Sequence, residues 1–155
     1  MSRAEELRAA FDGGFADAPA GERRAAIELL RVELAGEPHA LALAELSSIH
    51  VDPRITAVPA TAPALIGVIA VRGAIVPVYD LRALLGLATT RAPRWVVIAQ
   101  GLAFAFDAFT GHLAVAEIPV RGDAKLVRGV VEHEGRNHPI IDLAAVIAAR
   151  LKEQR

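Results

Sequence analysis

The stretch RGAIVPVYDL, residues 72–81, decides the fold because the chain writes it twice. Sixty-two residues further on stands EGRNHPIIDL, residues 134–143. Gly73 and Gly135, Pro77 and Pro139, Asp80 and Asp142, and Leu81 and Leu143 fall in step, and the match reaches upstream through Gly67/Gly129 and Val68/Val130. Each copy reads as a strand, a glycine turn, a strand carrying a proline, an aspartate and a helix. Asp80 precedes LRALL and Gly86 follows it, which is N-cap and C′ chemistry around a short helix. Asp142 caps a final helix whose apolar stripe is Leu143, Val146, Ile147 and Leu151. Pro77 has no N–H for a ladder, which predicts an edge strand or a bulge.

Outward from the repeat, alternation of apolar and polar residues predicts short strands throughout. Residues 30–34 and 39–43 form a hairpin across Ala35-Gly-Glu-Pro38, and residues 49–51 are extended up to Asp52-Pro53. Residues 68–71 and 74–79 flank the Arg72-Gly73 turn, and residues 94–99 and 102–106 flank Gln100-Gly101. Residues 113–118, 126–132 and 136–141 complete the set. About ten short strands with glycine turns predict a barrel or sandwich. The duplication sharpens this to a mainly β protein of two small similar barrels packed on a shared apolar core. Residues 1–25 read as a helical or flexible extension with capping-box spacing at Ser2 and Glu5, and residues 26–152 as the folded domain.

Composition removes several function classes. Apolar residues make up 54% of the 155, enough for a core built mostly of Ala, Val, Ile and Leu. A net charge of −1 without a basic block argues against nucleic acid as a partner. The absence of cysteine excludes disulfides and thiolate chemistry, and no apolar run is long enough to insert in a bilayer. The expectation is a soluble cytoplasmic protein.

The doubled aspartate also raises a catalytic reading, a carboxylate dyad formed by Asp80 and Asp142. Such a dyad needs a tight glycine turn after each Asp, whereas here Leu and helical residues follow. Paired helix caps explain both copies by one mechanism. His50 and Asp52 stand on one face of a strand, and His133, Glu134 and His138 gather near a turn, but neither group has an established metal spacing. Arg121-Gly-Asp123 is a turn sequence. No nucleophile elbow, phosphate loop or dinucleotide fingerprint occurs, so no cofactor is expected. One apolar run remains, ALIGVIAV at residues 64–71, which ends on Arg72 and Gly73. It is either a buried strand whose end reaches water or a partner-binding edge with a directional cation.

LIGVIAVRGAIVPVYDLRALLGL, residues 65–87, resembles the signature of CheW-like domains, an apolar-Asn-Leu-Arg-Gly segment followed by Pro-Val-x-Asp-Leu-Arg and Leu-Gly. LLRVELAGEPHALALAEL at residues 29–46 is similar to the family's opening hairpin, and Pro59 to its proline before the signature. Residues 104–109 stand where the family has an Asp that Asp107 matches, and RGVVEHEGRNHPIIDL also fits. The resemblance covers about residues 27–151. It implies two five-stranded SH3-like barrels sharing a core, with short helices and a C-terminal helix. It implies a non-enzymatic adaptor that couples chemoreceptors to a CheA-type histidine kinase. The partners would be the kinase's regulatory domain and the receptor's cytoplasmic tip. By motif position, Ile69, Val71, Arg72 and Gly73 become partner-binding positions, and Ser48 stands where the family usually has an acid able to pair with the Arg. The family Asn is Ala70 here. Arg72 must therefore pair with Asp52 or Glu45, or stay solvated. These departures also admit a paralogue serving another chemosensory-like pathway, such as surface motility.

Overall fold

Four two-residue turns set the architecture, and all four have the same chemistry. Ala35-Gly36, Arg72-Gly73, Gln100-Gly101 and Glu134-Gly135 hold φ at 53/78°, 50/79°, 52/74° and 51/77°. Positive φ at both central residues is the type I′ turn, whose twist matches that of the strands it joins. The second position takes glycine in every case because it has no Cβ to strain there.

The computed structural model describes residues 26–59, 62–118 and 125–151. The expected N-terminal extension, the Arg121-Gly-Asp123 turn and the polar end after Leu151 lie outside the described residues. The chain order is β1 (Ile27–Leu34), β2 (Glu37–Ala42), a 3-10 turn (Leu43–Glu45), β3 (Ser48–Val51), β4 (Leu65–Val71), β5 (Ala74–Asp80) and α1 (Leu81–Leu84). It continues with β6 (Trp95–Ala99), β7 (Leu102–Phe106), β8 (Ala108–Val115), β9 (Val127–His133), β10 (Arg136–Ile141) and α2 (Leu143–Val146), after which a π turn runs over Ile147–Leu151.

The strands form two five-stranded sheets, ordered β8-β1-β2-β10-β9 and β3-β6-β7-β5-β4. The second corresponds to the first strand for strand, and each contains one parallel pair. Ile140 faces Ala40 in β10/β2, and Val78 faces Ala103 in β5/β7. Alternation then sorts the side chains. Leu30, Val32 and Leu41 of the first sheet pack with Val97, Phe104 and Phe106 of the second in one shared cluster, closed by Leu81, Leu143 and Val146 of the helices. The opposite faces carry separate clusters, Val78, Val96 and Ala105 in one sheet and Leu29, Ala40 and Ile140 in the other. The mainly β double subdomain on a common core is the expected fold.

Two details differ from expectation. β8 begins at Ala108 and ends at Val115 rather than spanning 113–118, because it pairs along nearly the whole of β1. A register shift at Arg31/Val32 interrupts the alternation that would mark its start. Pro77 lies on neither an edge nor a bulge, since β5 is an interior strand. It faces Val68, whose own N–H and C=O bond to Thr56 at 2.9 Å each, and the parallel ladder to β7 begins only at Val78. Pro77 therefore occupies a place where no ladder asks for its missing N–H. Pro139 repeats the solution, opposite Val130 and one residue before the β2 ladder.

Candidate functional site

The two repeated aspartates are held in their own corners. The Asp142 carboxylate accepts the Ala145 N–H at 3.1 Å, and the Asp142 N–H donates to the Leu126 carbonyl at 2.9 Å. The Asp80 N–H donates likewise to Ala64, at 2.7 Å. Its carboxylate caps α1 through the Arg82 N–H at 3.0 Å and also receives the Arg82 guanidinium through Nε at 3.0 Å and Nη2 at 2.8 Å. Arg82 Nη1 donates to Asp107 at 2.6 Å, and the other Asp107 oxygen accepts the Ala35 N–H at 2.7 Å. Hydrogen bonding to Asp80 is the main reason the Arg82 pKa is raised. Both aspartates are architectural caps.

His50 and Asp52 do not share a ligand either. Asp52 is held by both prongs of Arg94, Nε at 3.0 Å and Nη2 at 2.7 Å, which lowers its pKa. His50 Nε2 lies 3.0 Å from the Ser48 hydroxyl. Burial, and then the charge of Arg72, keep the His50 pKa below its ordinary value, so the ring is neutral at pH 7. No group of three or more His, Asp or Glu among the described residues is placed to hold an ion.

These pairings decide the fate of Arg72. Of its two candidate acids, Asp52 is taken by Arg94, and Glu45 lies 3.7 Å from Arg128. Arg72 is exposed and has no hydrogen bond or ion pair among the described residues. It stands at the tip of the β4–β5 hairpin, beside a groove of about 520 Å³ between the outer strands β3 and β4. Ile49, Val51, Val68, Ile69, Val71 and Ile75 give the groove an apolar lining, and His50, Arg54 and Thr56 are its polar members. Gly67 lets the segment before it cross β4 closely. A Cβ there would press into the Thr56 carbonyl and meet Ile55 Cγ2 at 2.8 Å.

The five positions expected to bind a partner thus gather on one sheet, in different roles. Ile69 is only 3% exposed and belongs to the core as it floors the groove. Val71 is half-buried on its wall, Gly73 completes the exposed turn, and Ser48 is spent on His50. Ile75 and Val51 were missed, yet at 70% and 37% they are the exposed large apolar side chains among the described residues. The signal was available for Ile75. With Val76 and Val78 facing inward, period two turns Ile75 outward.

Two matched five-stranded β-sheets on a common core, with a surface groove, define a mainly β double-sheet domain. The chain belongs to the CheW-like domain family, which matches residues 28–117, more than half of its length. Among solved structures it is similar to the scaffolding protein TtCheW from Thermoanaerobacter tengcongensis, with a TM-score of 0.68 and 23% identity over 76% of this chain and 89% of that one. No curated protein matches the chain. CheW-like scaffolding domains are non-enzymatic and belong to chemotaxis signalling. The family match stops before β9 and β10, which complete the first sheet, and before α2. Among the described residues no helix is long and apolar enough to cross a membrane.

Proposed function

We propose that this chain is a cytoplasmic adaptor that couples chemoreceptors to a CheA-type histidine kinase, binding the kinase's regulatory domain and the receptor's cytoplasmic tip. The observation that carries the reading is the groove itself: exposed Ile75 and Val51 beside an unpaired Arg72, on a CheW-like fold. Ser48, Ile69, Val71, Arg72 and Gly73 are its partner-binding positions, with Ile75 added. Apolar anchors ringed by a few polar groups are the usual anatomy of a protein-docking patch. Titration calorimetry against a CheA-type regulatory domain and a receptor-tip hairpin tests the reading. Ile75→Asp is expected to weaken kinase binding about tenfold, in line with loss of one anchor, without lowering the melting temperature. Binding of the wild-type chain to neither partner would remove the coupling role.

Ala70 and Ser48, where the family has Asn and an acid, favour a second reading, a paralogue in another chemosensory-like pathway such as surface motility. Tight binding to a kinase domain of that pathway, and not to one from the flagellar system, would select it.

A further inference from the structure

Among the described residues, this apolar groove lies beside the first copy of the repeat, whereas the pocket beside the other copy is lined by Glu33, Glu134 and His133 among others. Where this sheet has Arg72 and Ile75 in the β4–β5 hairpin, the other has Glu134 and Asn137 in β9–β10, and Glu134 turns to His133 at 3.7 Å. Duplication made the two hairpins alike, so the cation and the exposed isoleucine are additions to the fold rather than requirements of it. The groove is also one-sided in charge. Arg54 lines it, Arg72 stands at its edge, His50 adds no negative charge, and no Asp or Glu is among its lining residues. The neighbouring acid, Asp52, is neutralised by Arg94.

We infer that the partner segment filling this groove is apolar and acidic, and that it brings a carboxylate to Arg72. Ser48 bonds His50 instead of Arg72, so the guanidinium keeps its full donor fork for an incoming carboxylate. A basic or neutral segment would leave Arg54 and Arg72 facing like charge or nothing, which selects against it. The inference rests on the groove being the docking site proposed above, and it names the chemistry of what docks.

The test uses the full chain labelled with 15N and two synthetic peptides, one alternating valine with glutamate and one alternating valine with lysine. The glutamate peptide is expected to shift the amides of residues 49–51 and 68–72. Its affinity should fall about fivefold when salt rises from about 50 to about 300 mM, as exposed charge pairs are screened. Arg72→Gln should weaken it about fivefold, the size of one exposed ion pair, and flatten the salt dependence. Ser48→Glu should do the same by supplying an internal carboxylate, and the lysine peptide should leave the groove unshifted. Equal binding of both peptides, no binding of the glutamate peptide, or indifference to both substitutions would overturn the inference. A glutamate peptide that binds while kinase and receptor do not would remove the coupling role and keep the acidic ligand. The reverse result would keep the coupling role and discard it.

Discussion

Arg82 heads the fully buried side chains by volume, although it is charged. The cost of burying it is offset by two carboxylates at hydrogen-bonding distance, Asp80 and Asp107. Asp107 reaches on to the Ala35 N–H in the turn of the first sheet, so one guanidinium fixes α1 of the second sheet against the first. The repeat shows what the corner needs without it. Ala144 stands where Arg82 does, and Asp142 caps its helix alone. Arg82→Leu is expected to cost about 3–5 kcal/mol, because it strands the buried Asp80 and the half-buried Asp107. Arg82→Lys should lose much of the same amount, since an ammonium cannot match the fork. Combining Arg82→Leu with Asp80→Asn and Asp107→Asn should recover most of the loss. Urea denaturation measures all three, and a cost under about 1 kcal/mol for Arg82→Leu would deny the network its structural role. The sequence offered both ends of this bond, an Asp-Leu-Arg corner and a motif Asp at 107. It did not offer the bond, because 25 residues separate the partners and only the fold closes that distance.

At the scale of elements, the turns and strands were legible because period and glycine placement are local. Residues 102–106 and 136–141 come out as expected, as does the Gly86 that ends α1 with φ 75°. What was not legible depends on neighbours in space. The start of β8 is set by β1, and the tolerance of Pro77 by where β7 stops reaching. The turns themselves carry strain the chain did not remove. Ala35, Arg72, Gln100 and Glu134 all sit in the left-handed region, at a cost of roughly 1–2 kcal/mol each for an ordinary L-residue. Asparagine tolerates that region and leads the preference for the first position of a type I′ turn. Gln100 is exposed, so Gln100→Asn changes little besides backbone preference. It should raise stability by about 0.5–1 kcal/mol, seen as a higher melting temperature. An unchanged or lower melting temperature would mean that turn strain is absorbed elsewhere. The same reasoning separates Arg72 from its neighbours. It occupies a strained position that asparagine would fill better, and the docking role proposed for the groove beside it would supply a reason for arginine.

The whole molecule is a duplication closed out of order. β3 to β7 with α1 form one copy in a single run, whereas the other takes β8, β9, β10 and α2 from the C-terminal part and its central hairpin, β1–β2, from the N-terminal part. The shared letters cover only the β4–β5–α1 and β9–β10–α2 corners. The β1–β2 and β6–β7 hairpins correspond in space while sharing little beyond a glycine turn, so the permuted closure could not be read from the repeat. Closure of this kind makes the two sheets dependent on each other. Without β1 and β2 the first sheet would keep only the β9/β10 pair, since among the described residues β8 pairs with β1 alone and β10 meets β2. The shared cluster draws on both sheets, and the single tryptophan marks the seam between them. Trp95 of β6 packs on Phe106 of its own sheet at 6.5 Å and on Phe109 of β8 at 5.7 Å. Unfolding should therefore be a single transition, as expected for small domains built on one core. Tryptophan emission, which reports the seam, and far-UV circular dichroism, which reports all ten strands, should give the same urea midpoint. Weakening the seam by Phe109→Ala should move both midpoints together, by about 3–5 kcal/mol of lost stability. A tryptophan change that precedes the loss of strand signal would show two sheets that separate before they melt, and the common core would then be a contact between independent units.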